Sequence, residues 1–155
     1  MAREIERKYL VADASWRQAV SDTHDIRQGY LCNDETASLR VRILNGEHAY
    51  LTVKTGRGVV RDEYEYAIPL EDGTELMAKC AHRLIEKKRH LIRRGDLAFE
   101  VDVFSGANEG LVLAEVELAD EKQTFEPPPW LGEEVTGDGR YTNASLAQHP
   151  FRDWT

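Results

Sequence analysis

No apolar run in this 155-residue chain is long enough to cross a membrane. The opening residues, MAREIERKYL, are charged from the third position onward and contain no apolar signal-peptide core. Cysteine is scarce: Cys32 and Cys80 are too few for a disulfide scaffold and fit no metal-binding spacing. They read as two reduced, partly buried thiols, and the cytoplasm is the expected compartment. The five histidines (His24, His48, His82, His90 and His149) are scattered, with no pair at zinc-ligand spacing. No Walker A sequence, G-x-S-x-G elbow or dinucleotide fingerprint is present. The stretch GRGVVR, from Gly56 to Arg61, has no third glycine and reads as a hairpin loop. Positive charge is in deficit, 20 Lys and Arg against 28 Asp and Glu, for a net charge of −8. Such a balance argues against a general binder of DNA or RNA, whose affinity rests on neutralising phosphates. A local cluster of cations can still hold a small anion.

What the chain has instead is period-2 alternation, over a length that suits one domain spanning 1–155. Strands are predicted near Arg3–Val11, Ile26–Asn33, Ser38–Asn45, His48–Thr55, Val60–Ile68, Arg83–Arg93, Leu97–Phe104 and Leu111–Leu118. The turn sequences NDET, NGE, GRG, RGD and SGANEG separate most of them. One short helix is expected after Asp13, carrying Trp16 and Val20. A second follows Asp72 with Leu76, Met77 and Cys80, each Asp serving as a cap. The tail EPPPWLGEEVTGDGRYTNASLA is turn-rich, with a last helical turn from Asn143. Trp154 and Phe151 near its end either serve a dimer or plug the fold. Eight strands with few helices predict a mainly β (α+β) protein, an antiparallel barrel or a sandwich of the same strands.

Residues two apart on a strand share a face. Read by parity, the strands segregate charge from apolar side chains. Glu4, Glu6 and Lys8 share a face of the first strand. Arg40 and Arg42 oppose Leu39, Val41 and Ile43. Thr52 and Lys54 oppose Leu51 and Val53. Arg61, Glu63 and Glu65 share a parity, as do Lys87 and Arg89. Glu100 and Asp102 oppose Phe99, Val101 and Val103, and Glu115 and Glu117 oppose Val112, Ala114 and Val116. Solvated faces of half-buried strands are the ordinary explanation for any one of these. Taken together, like-charged pairs at i, i+2 recur in most strands, without the Ser, Thr and Gln that dilute a wetted sheet face. If these faces line a closed barrel, its interior holds seven cations and eight acids, and helices and the tail must cover the apolar outside. Unpaired buried charge is costly, so such an interior calls for guests. Carboxylates suit Mg²⁺ or Mn²⁺, and Arg and Lys clusters suit phosphate oxygens. A metal–polyphosphate complex meets both demands.

These residues resemble a known family. EIERK at Glu4–Lys8 matches the ExExK signature of the CYTH superfamily, the triphosphate tunnel metalloenzymes. It is accompanied, in order, by QGYL at Gln28–Leu31, SLRVR at Ser38–Arg42, TVK at Thr52–Lys54 and RDEYEY at Arg61–Tyr66. The basic pair Lys87 and Arg89, FEVDVF at Phe99–Phe104 and LAEVEL at Leu113–Leu118 complete the set. The resemblance is greatest to the short bacterial inorganic triphosphatases. It implies an eight-stranded antiparallel tunnel, a divalent metal (Mg²⁺ or Mn²⁺) and a small-molecule triphosphate substrate, with the chain acting as a monomer or homodimer. On that reading Glu4, Glu6, Glu115 and Glu117 hold the metal, with Asp102 or Glu100 nearby. Lys8, Arg40, Arg42, Lys87 and Arg89 grip phosphates, with Arg61 toward the rim. Lys54 is a candidate general base, its proton loosened by crowding with like charge, or a further phosphate ligand; the resemblance supports a pairing with Tyr30. Glu63 is a further candidate for the catalytic group, or with Glu65 and Glu100 an acid that orients the cations; direct metal ligation is the alternative for Glu63 and Glu65. An adenylyl cyclase, a thiamine or nucleoside triphosphatase, and a non-catalytic polyphosphate- or nucleotide-binding module are the alternatives. Residues before the ExExK motif are typical of cyclases, and here the motif begins at residue 4.

Overall fold

In the computed structural model, residues 2–56, 59–80 and 82–154 are described. Among these residues nine antiparallel strands form one sheet: β1 Ala2–Val11, β2 Asp22–Asn33, β3 Ala37–Leu44, β4 His48–Thr55, β5 Val60–Ile68, β6 Leu84–Arg94, β7 Leu97–Ser105, β8 Val112–Glu117 and β9 Leu131–Glu134. The spatial order β5-β4-β3-β2-β6-β7-β8-β1 closes through β1–β5 pairing, from Ala2 opposite Glu63 to Ile5 opposite Val60. The result is the closed eight-stranded barrel, with β9 an additional strand on β1. The sandwich alternative is therefore excluded. Of the loop GRG between β4 and β5, Arg57 and Gly58 lie outside the described residues.

Register carries the parity argument around the barrel, because directly opposed residues share a face. Glu6 faces Glu117 and Lys8 faces Glu115. Glu115 faces Glu100, and Asp102 faces Arg89. Arg40 faces Thr52, and Lys54 faces Glu63. The charged set is thereby one continuous inner face. The apolar parity points outward and is covered in two places.

One cover is α1, Leu70–Lys79, whose Met77 packs with Val41 and Cys80 over Ile43, Leu51 and Ile68. The other combines a 3₁₀ turn, Ser15–Ala19, with the tail around Phe125 and Trp130. Trp16 and Trp130 bury Phe99, Val101, Ala114 and Val116 beneath them. A third cluster sits inside one end of the barrel. There Leu146 and Ala147 of α2, Asn143–Gln148, meet Tyr30, Ile85, Phe104 and Leu113. Phe151 and Trp154 pack against this plug, so the terminal aromatics close the barrel end.

Three expectations shift. The helix expected after Asp72 starts at Leu70, and Asp72 lies in its first turn with Glu71, where an acid complements the helix N-terminus without capping it. Strand β2 begins four residues early. Its polar start, Asp22–Asp25, pairs with β6 although no apolar alternation marks it. Strand β9 sits in the proline-rich tail and is only four residues long.

Gly73 of α1 illustrates packing overriding helix propensity. A Cβ placed there would lie 2.5 Å from the Cβ of Ala49. Alanine in mid-helix is worth about 1 kcal/mol over glycine, whereas overpacking costs about 1–3 kcal/mol. Gly73→Ala is expected to lower stability in urea unfolding, and Ala49→Gly in the same chain is expected to restore part of the loss. A stabilised Gly73→Ala protein would contradict this packing.

Candidate active site

The barrel encloses a cavity of about 670 Å³. Fourteen of the fifteen charged residues assigned to the interior from sequence line it; the exception is Asp102. Their side chains arrive from seven of the eight barrel strands, all but β2, because each strand places alternate residues inward.

One wall is basic. Strand β3 supplies Arg40 and Arg42, and β6 supplies Lys87 and Arg89. Asp102 stands behind this wall, 1% exposed, with Lys87 Nζ at 2.7 Å and Arg89 Nε and Nη2 at 2.8 and 2.9 Å. Burial pushes its carboxyl up, but Arg89 and Lys87 outweigh this and hold it below the usual carboxylate range. Asp102, expected among metal ligands, is thus committed to two cations of the wall. Burial likewise drives Lys87 down to about 7, with Arg89 and Arg42 adding to the fall and Asp102 opposing it. Lys87 Nζ also donates to Asn143 Oδ1, at 2.9 Å. Arg42 is pushed down to about 9 by burial and by the like charges of Arg40 and Arg89. Its Nε donates to Gln28 Oε1 at 2.9 Å. Arg40 Nε is buried with no hydrogen-bond partner among the described residues. The wall carries more positive charge than its own acid neutralises, which suits an anion.

The opposite wall is acidic. Glu4 and Glu6 come from β1, Glu63 and Glu65 from β5, Glu100 from β7, Glu115 and Glu117 from β8. Cations punctuate it: Arg61 Nη2 lies 2.7 Å from Glu6, Lys54 Nζ 3.1 Å from Glu4 and 3.7 Å from Glu63, and Lys8 Nζ 3.4 Å from Glu115. Burial nevertheless raises the Glu6 carboxyl to about 8, with Glu115 and then Glu4 adding to it. Glu117 is raised by burial and by Glu4, Glu100 and Glu6. Glu115 lies well below the usual range, because Lys8 and Arg89 outweigh its burial.

The donor chemistry of this wall fits a hard divalent cation: only carboxylates are offered, three of them (Glu6, Glu100 and Glu117) hold protons too tightly, and buried Glu4 Oε2 has no well-directed hydrogen bond. No three such side chains stand at ligating spacing among the described residues. Loading a metal would therefore draw the carboxylates inward and loosen their ion pairs.

Three local surroundings differ from expectation. Lys54 lies between carboxylates, and the crowding by like charge expected there falls on Lys87. Tyr30 lines the cavity, and its hydroxyl accepts from Gln28 Nε2 at 3.1 Å. Arg61, expected toward the rim, bridges to Glu6 within the wall. Gln28, Thr52 and Asn143 had no role assigned from the sequence, although Thr52 was placed on the charged face with Lys54. Thr52, 1% exposed, donates to Glu65 at 3.4 Å. Gln28 stood within a quoted motif, and its inward parity was the available signal. Nothing in the sequence ties Asn143 to Lys87.

Comparison with known proteins adds to this geometry. A family model, the CYTH domain, matches residues 2–149. An inorganic triphosphatase of Acetivibrio thermocellus is 42% identical over 156 residues, 99% of each chain. One from Nitrosomonas europaea is 40% identical, over 93% of this chain and 96% of its own length. A crystal structure of an inorganic triphosphatase superposes with a TM-score of 0.68 at 38% identity, over 96% of both chains.

The state of Glu6 has a thermodynamic signature. A carboxyl raised in the folded state supports the fold below its unfolded value, 4.5, and that support is lost as pH rises toward about 8. Without added metal, Glu6→Gln is expected to gain melting temperature relative to the parent as pH rises from 5 to 8. A pH-independent difference would show that Glu6 is ionised throughout.

Proposed function

The chain belongs to the CYTH domain family, and on that premise we propose that it is an inorganic triphosphatase, hydrolysing tripolyphosphate to pyrophosphate and orthophosphate with Mg²⁺ or Mn²⁺. The observation that carries this is the pair of walls unbalanced in opposite senses. Arg42 and Lys87 hold protons too weakly and Glu6 too tightly, so a guest carrying both anion and cation relieves both.

Arg40, Arg42, Lys87, Arg89 and Lys8 bind the phosphoryl oxygens, the guanidinium groups two at a time. Asp102 orients Lys87 and Arg89 from behind. Glu4, Glu6, Glu115 and Glu117 would hold the metal, which supplies charge neutralisation and lowers the cost of deprotonating water. Glu63, kept below the usual carboxylate range by its hydrogen bond with Glu4 and by Lys54 and Arg40 against its burial, accepts the proton of the attacking water. Lys54, 3.7 Å away, serves as a phosphate ligand beside it. Water oxygen bonds to a terminal phosphorus as the bridging P–O bond opposite breaks, and the basic wall takes up the charge that builds on the leaving pyrophosphate. Arg61 and Glu65 steady the carboxylates and Thr52 around this centre.

The cytoplasm suits this chemistry, and the free thiols of Cys32 and Cys80 support it. Among the described residues no helix is long and apolar enough to cross a membrane.

The test is phosphate release from tripolyphosphate, ATP, thiamine triphosphate and pyrophosphate, each with Mg²⁺ and with EDTA. Mg²⁺-dependent release from tripolyphosphate well above that from ATP is expected, and release from none of them by folded protein would overturn the proposal. Glu6→Ala is expected to cost about 100-fold or more in turnover while melting stays cooperative. Full Mg²⁺-dependent activity in that variant would remove Glu6 from the metal set.

A further inference from the structure

Gln28 is fully buried, and it lies behind the residues that line the cavity. Its amide touches two of them. Oε1 accepts from Arg42 Nε at 2.9 Å, and Nε2 donates to the Tyr30 hydroxyl at 3.1 Å. The orientation of this amide follows from chemistry. A guanidinium Nε only donates, so the atom it meets must be the carbonyl oxygen. The NH₂ group then faces Tyr30, and the phenol oxygen must accept from it.

That assignment fixes the phenolic proton. A phenol O–H lies near the ring plane and has two favoured positions. The one toward Gln28 is blocked by the incoming N–H, which leaves the other. The Tyr30 ring is packed among Ile85, Phe104 and Leu113, so the hydroxyl end is what this side chain offers the cavity. The strand geometry makes the arrangement possible: Gln28 and Tyr30 share the inner face of β2 at i, i+2, and Gln28 stands directly opposite Arg42 of β3.

Resting on the triphosphatase reading above, we propose that Gln28 is a positioning residue that makes Tyr30 a hydrogen-bond donor to a phosphoryl oxygen while it aims Arg42 at the same group. Tyr30 then acts by donation as charge builds on that oxygen, and it takes no proton from water. Arg42, with Nε secured, presents its two terminal nitrogens to the phosphate. The one buried amide holds both groups, so the two donors keep a fixed spacing.

Gln28→Glu separates the roles. A carboxylate there still accepts from Arg42 Nε but cannot donate to Tyr30; it accepts a hydrogen bond from the phenolic O–H and so turns that group away from the cavity. Gln28→Glu is expected to lower kcat for tripolyphosphate about tenfold, with KM nearly unchanged, as for a donor acting in the transition state. Tyr30→Phe is expected to match it, and the double variant to be no worse than Tyr30→Phe alone. Gln28→Met, which frees Arg42 as well, is expected to raise KM in addition; if it does not fold, the Gln28→Glu cycle decides. Parental kcat in Gln28→Glu, or losses that multiply in the double variant, would overturn the proposal. Turnover by the parent chain in the same assay separates this from failure of the triphosphatase reading itself.

Discussion

Opposite charges facing each other across a closed barrel govern the rest of the structure. Fifteen ionisable side chains cannot be buried at tolerable cost unless partners stand within a few ångströms, and desolvation makes each imperfect pairing expensive. The barrel meets this by putting acids of β1, β5, β7 and β8 against cations of β3, β4 and β6, with Lys8 and Arg61 set among the acids and Asp102 tying Lys87 and Arg89 together. The pairing remains incomplete. Glu6 is pushed toward protonation while Arg42 and Lys87 are pushed toward proton loss, and that residual imbalance is where binding energy for a charged guest resides.

Turning charge inward obliges the apolar parity to face out, and the remaining elements answer that demand. α1 shields β2–β4, and the tail from Phe125 to Leu131 with the Ser15–Ala19 turn shields β1 and β6–β8. α2 enters one barrel end, where Leu10, Tyr30, Ile85, Phe104 and Leu113 are already apolar. The cavity therefore ends on Thr142, Asn143 and Ala144 of the plug. Two lysines touch that plug, Lys8 at the Tyr141 carbonyl and Lys87 at Asn143, so the floor of the cavity belongs to the same network as its walls.

Much of this was legible in the sequence, because a barrel writes its inside and outside as alternating letters. Leu39-Arg40-Val41-Arg42 and Phe99-Glu100-Val101-Asp102 state the two faces without reference to any partner strand. Pairing across strands is not written there. Asp102 has the type and parity of a metal ligand, and only the register opposite Arg89 reveals its commitment to the basic wall. Lys54 has the surroundings of an ion pair because β5 and β1 bring Glu63 and Glu4 to it from 9 and 50 residues away. Gln28 was hidden for a different reason: an amide has no charge, and its meaning lies in two hydrogen bonds. Strand β9 escaped because four residues after a run of prolines show no period.

The central claim is that the two walls await one guest carrying both signs. Calorimetric titration of tripolyphosphate into the chain, with and without Mg²⁺, tests it most directly. The account predicts one ligand bound per chain, tightened by Mg²⁺, with affinity falling sharply when Arg40 and Arg42 are replaced by alanine. Absence of binding by the folded chain, or binding indifferent to both arginines, would contradict it.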